Sequence, residues 1–63
     1  MKSIDAYKLR CAALITMQSS GKALQEMKRI TPEAQARHDE NRARFNRADA
    51  EYIRLRNEEM QEA

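Results

Sequence analysis

Thr31-Pro32-Glu33 contains the only proline of a 63-residue chain, and nothing after it breaks a helix until about Gln61. Thr31 is a good N-cap, and proline suits the first helical position, where its missing N–H is not needed. Glu33 then puts an acid in the first turn, where the helix dipole favours it. Ile30, just before the cap, is placed to act as a hydrophobic staple. The motif predicts a long helix over about 32–61, about 45 Å at 1.5 Å per residue. Any helix before it must join through a few residues, and two helices joined so closely fold back most simply as an antiparallel hairpin. The expected fold is all-α, a single small helical domain over 1–63.

Composition supports this and narrows what can hold it together. The strong helix formers Ala, Leu, Met, Glu, Gln, Lys and Arg make up 41 of the 63 residues. Valine is absent and glycine occurs once, which leaves strands and tight turns little to build on. Cys11 is the only cysteine and His38 the only histidine, so neither an internal disulfide nor a Cys/His metal cluster is available. A chain this short then depends on close helix packing or on self-association.

The longest apolar run, Cys11 to Met17, contains Thr16 and falls far short of the roughly 20 residues that span a membrane. Asp5 stands where a signal peptide would begin its apolar core. A single free thiol suits a reducing compartment. These features predict a cytoplasmic protein. Net charge is +2, split as +4 over residues 1–30 and −2 over 31–63.

The first helical arm is expected over about 3–30. Ser3 is a candidate N-cap and Asp5 an acid for the first turn. Ile4, Tyr7, Cys11, Leu14 and Ile15 recur at three- and four-residue spacing and define the expected buried face, with Leu9, Ala13 and Met17 on its flank. Gln18-Ser19-Ser20-Gly21 interrupts the pattern and predicts a kink or short break near 18–21. Leu24, Met27 and Ile30 then resume it on another face, and Lys28 and Arg29 suit a helix C-terminus near Ile30.

In the second helix Ala34, His38, Asn41, Phe45, Ala48, Tyr52, Leu55 and Glu59 alternate by four and three, which is the coiled-coil a/d repeat. Three of the eight are polar, and large Phe45 and Tyr52 alternate with small Ala48. Ile53 and Met60 widen the apolar surface. Along one edge run Arg37, Arg44, Glu51 and Glu58; along the other, Arg42, Asp49 and Arg56. An antiparallel copy would pair Arg37 with Glu58 and Arg44 with Glu51. A parallel copy would pair Arg44 with Asp49 and Glu51 with Arg56. The residues expected to form the helix-packing or partner interface are Tyr7, Leu14, Phe45, Ala48, Tyr52 and Leu55.

Few residues offer chemistry. His38 has no base, nucleophile or metal partner on its own face. Cys11 lies on the apolar face of the first arm and reads as a structural thiol. Asn41 can fix register or mark the end of the core. The six arginines of the second helix suggest a nucleic-acid surface, but Glu33–Arg37, Glu40–Arg44, Arg47–Glu51 and Arg54–Glu58 all have ion-pair spacing, which predicts a self-paired, solvated face. No phosphate loop, nucleophile elbow or metal motif is present. No catalytic residue, metal or cofactor is expected, and nucleic-acid binding should be weak or absent.

The opening Met-Lys-Ser-Ile-Asp-Ala-Tyr-Lys-Leu-Arg-Cys-Ala-Ala-Leu-Ile resembles a family of very small lambdoid bacteriophage proteins encoded in the early region between the exonuclease and excisionase genes. The resemblance extends over the whole chain. It implies an early phage protein in the host bacterial cytoplasm, acting on the host or on the choice between lysis and lysogeny through contact with other macromolecules. It supplies no catalytic or binding residues.

The expectation is therefore a non-enzymatic helical protein-interaction module that modulates host or phage development, forms a homodimer and contacts a host or phage protein. The alternative is a small nucleic-acid-binding transcriptional regulator using the basic first half. A dimer is expected because a lone hairpin has one internal interface and cannot bury both apolar faces of its first arm and the widened face of its second.

Overall fold

Thr31 caps the second helix as its residue type predicts: its Oγ1 accepts a hydrogen bond from the Ala34 N–H at 3.2 Å, and its carbonyl oxygen accepts from the Gln35 N–H at 3.0 Å. In this computed structural model, which describes residues 1–62, the helix so begun is α2, Pro32–Glu62. Before it lies α1, Ser3–Glu26, and residues 27–31 form the join. The two helices pack side by side and antiparallel, an all-α hairpin with no strand among the described residues. Ile30 makes no staple: the position it would meet is Gln35, and Ile30 is 51% exposed.

The first helix departs from expectation in three ways. It runs unbroken through residues 18–21. Ser20, one of the residues that signalled a break, turns its hydroxyl back along the helix instead, Oγ donating to the Met17 carbonyl at 3.0 Å, as Thr16 Oγ1 does to the Ala12 carbonyl at 3.1 Å. The helix also ends at Glu26, four residues before Ile30, with the Met27 N–H closing on the Leu24 carbonyl at 3.2 Å. Reversing the chain uses the five residues 27–31, and Thr31 must be extended before proline. Finally, Lys2 and not Ser3 is the N-cap residue; the Asp5 carboxylate accepts from the Lys2 N–H at 3.3 Å, and the Ser3 hydroxyl is engaged elsewhere.

The packing face of α1 is not the apolar one. Ser3, Ala6, Arg10, Ala13, Met17, Ser20 and Leu24 form its inner line, again alternating by three and four, with Cys11, Leu14 and Gly21 partly buried beside it. Ala6 and Ala13 are the most buried, at 2% and 8% exposure. Ile4 and Ile15 sit nine residues from Ala13 and Ala6 respectively. Nine residues are two and a half turns, so both isoleucines point away from α2, 56% and 67% exposed. The reason is steric: α2 brings the bulk of Phe45, Tyr52 and Leu55, and small residues opposite let the helices approach. Met27, where the apolar spacing continued the first arm, is 40% exposed beyond the end of α1.

The result is a rod of 51 × 15 × 14 Å with a radius of gyration of 14.8 Å, against about 11 Å for a compact chain of this length. Among the described residues, only Ala6, Ala13 and Leu55 are buried apolar residues. No helix among the described residues is long and apolar enough to cross a membrane.

Candidate interaction surfaces

Between the helices, polar ties alternate with the small residues and fix one antiparallel register. At the open end the Ser3 N–H donates to Glu59 Oε1 at 2.9 Å, and the Ser3 hydroxyl donates to Glu59 Oε2. Glu59 therefore caps the first turn of α1 from the other helix. Its carboxyl is held below the usual carboxylate range, chiefly by the Ser3 hydroxyl and then by the Ser3 N–H. One level in, the rings of Tyr7 and Tyr52 lie 5.4 Å apart, tilted by 56°. The neighbouring Cys11 thiol raises the Tyr7 phenol above its ordinary value.

Next, Arg10 Nε donates to Asp49 Oδ1 at 2.6 Å, and the same guanidinium lies 5.1 Å from the centre of the Phe45 ring. The Asp49 hydrogen bond raises the arginine further. Near the join, Ser20 Oγ lies 2.7 Å from His38 Nδ1. Because the Ser20 hydroxyl already donates to Met17, the pairing assigns the proton to Nδ1, which donates to the serine oxygen. Gly21 makes room for this ring: a Cβ there would lie 3.2 Å from His38 Cε1.

The α2 repeat read from sequence thus faces α1 of the same chain. Leu55 is 9% exposed, Phe45, Ala48 and Tyr52 are partly buried on that face, Leu14 is partly buried at its edge, and Tyr7 is 44% exposed. Cys11 is partly buried at the edge of α1, not within a core. Sequence reasoning missed Ser3, Arg10 and Ser20 as packing residues, and with them the role of Asp49 and Glu59. The signal was present, since Ser3-Ala6-Arg10-Ala13-Met17-Ser20-Leu24 is as regular a heptad as the one in α2. It escaped a search that counted only apolar side chains.

The outer surface carries two features. Along one side of the hairpin runs a groove made of three successive hollows, of about 470, 470 and 160 Å³ from the join to the open end. The first two share Thr16; the second and third share Leu9 and Ala48. Arg37, Arg44 and Glu51 line one hollow each. The second feature is the exposed apolar set on other faces, Ile4, Ile53 and Met60, while Ile15, 67% exposed, lines the first hollow.

The charged face is only partly self-paired. Arg54 bonds Glu58 at 2.8 Å and also holds Glu51, while Arg44 and Glu40 stand 3.8 Å apart. Glu51 is pulled down mainly by its hydrogen bond from Arg54. The expected pair Arg47–Glu51 does not form, Arg54 occupying Glu51, and neither does Glu33–Arg37; among the described residues Arg37 and Arg47 make no ion pair. No cluster of three or more His, Cys, Asp or Glu placed to hold a metal occurs among the described residues.

No family model, curated protein or solved structure matches the chain.

Proposed function

We propose that the protein is a non-enzymatic helical interaction module that self-associates and presents the remaining surface to a protein partner, as an early phage protein acting on host or phage development in the bacterial cytoplasm. The observation that supports this most is the mismatch between the two faces of α1. Its packing face is built mostly from small and polar residues, with Met17 and Leu24 toward the join, while Ile4, Leu9 and Ile15 stand outside, 56%, 56% and 67% exposed. A chain with so few buried apolar residues and so much apolar surface outside them is suited to binding other helices. The two residues with the most reactive side chains are engaged in packing: His38 bonds Ser20, and Cys11 is partly buried beside Tyr7. The phage assignment rests on the resemblance of residues 1–15.

A second reading has one observation in its favour. Arg37 and Arg47, free of ion pairs among the described residues, and loosely paired Arg44 line a single side and could contact phosphates, as a nucleic-acid-binding regulator requires.

The experiment that separates the readings is capture of partners from bacterial lysate by the tagged chain, with and without nuclease. A protein retained after nuclease treatment, and lost with Ile4→Asp, is expected. Capture that nuclease abolishes, together with DNA binding that weakens steeply with salt, would establish the regulator instead.

A further inference from the structure

Arg37, Arg44, Glu51 and Glu58 are spaced by seven residues and form one ridge of α2, of which the first three each line one of the three hollows. The order, two bases then two acids, becomes its own complement when the helix is reversed. We infer that two copies associate antiparallel across this groove, about a two-fold axis near Ala48, so that Arg44 meets the partner's Glu51 and Arg37 the partner's Glu58. This rests on the self-association proposed above and names the face that carries it.

Several features favour this groove over the opposite edge. The ridge there reads Arg42, Asp49, Arg56, and reversal about its centre sets arginine against arginine. On the groove side the bases are available. Arg37 makes no ion pair among the described residues, and Arg44, its side chain 59% exposed, only approaches Glu40 at 3.8 Å. Arg54 already bonds both Glu51 and Glu58, so each acid would be shared between Arg54 and an arginine of the second copy. The axis falls where the groove is most apolar. Leu9, 56% exposed, and Ala48 line both the middle and the end hollow. A two-fold axis there packs Leu9 of each copy against the small residues Ala12 and Ala48 of the other, as an isologous interface requires.

The test is sedimentation equilibrium of the full chain at low salt, with helicity followed in parallel. The wild type is expected to dimerise. Arg44→Glu and Glu51→Arg should each weaken the dimer about tenfold or more, because symmetry turns two attractive pairs into two repulsive ones. The reciprocal double variant R44E/E51R should recover most of the affinity. Leu9→Asp should dissociate the dimer, and Ile4→Asp, on the outer face and lining none of the three hollows, should not. A dimer as tight with Arg44→Glu and Leu9→Asp as in the wild type would overturn the groove and leave self-association standing. Failure of the double variant to recover would overturn the pairing. A wild-type monomer at millimolar concentration would overturn both the inference and the self-association it rests on.

Discussion

At the scale of single residues, Glu59 does most to tie the chain ends together, and it makes folding pH-dependent. Ser3 holds its carboxyl low in the folded state. Unfolded, a glutamate titrates near about 4.3. The folded value is the lower one, so the stabilisation is complete above that pH and is lost as pH falls through the lowered value. Urea midpoints should therefore fall between pH 6 and pH 3, and Glu59→Gln should show a shallower fall than wild type; identical slopes would remove the Ser3–Glu59 tie. Gly21 offers a second residue-scale test. Alanine in a helix interior gains about 1 kcal/mol over glycine, but here its Cβ would press on His38 at 3.2 Å. Gly21→Ala should stabilise the His38→Ala background by about that amount and the wild type by less, which a double-mutant cycle in urea measures. Neither tie was legible beforehand, because each joins a residue of α1 to one far along the chain through a side chain that local pattern assigns to a cap or a break.

Among the elements, α2 was readable and α1 only in part. The Thr31-Pro32 start and the repeat from Ala34 to Glu59 agree, so local chemistry and long-range packing specify the same helix. In α1 they disagree. Ile4, Tyr7, Cys11, Leu14 and Ile15 form the more apolar face, yet Ala6 and Ala13 are what α2 buries. Apolar periodicity finds where greasy residues lie on a helix, but steric fit to the partner decides which face is used. Likewise Ser19-Ser20-Gly21 signals a break only if its hydroxyls leave the helix, and Ser20 bonds back to Met17. The packing of α2 predicts an ordering of mutational costs. Leu55→Ala, at 9% exposure, should cost about 2–3 kcal/mol. Phe45→Ala should cost about 2 kcal/mol, less than the 3–5 kcal/mol of a fully enclosed ring, because Phe45 is only partly buried. Chemical denaturation of both variants checks the order, and a Phe45→Ala cost well above that of Leu55→Ala would mean that the ring is enclosed by something beyond α1.

For the whole molecule the constraint is how little a single hairpin encloses. With Ala6, Ala13 and Leu55 as its buried apolar residues, the rod has far less core than a small domain needs to reach the usual 5–15 kcal/mol. If a second copy supplies the remainder, the melting temperature should rise with protein concentration, and a melting temperature constant over a hundredfold range would show that the hairpin stands alone. What the account depends on most is that the α2 repeat faces α1 of its own chain, since only then are the groove and the outer isoleucines left for others. The direct measurement is an isotope-filtered nuclear Overhauser experiment on an equal mixture of labelled and unlabelled protein. The Tyr7 and Tyr52 rings, 5.4 Å apart, should give contacts within one chain and none between chains. Tyr7–Tyr52 contacts in the spectrum filtered for different chains would show that the repeat is used between copies, and would contradict the hairpin.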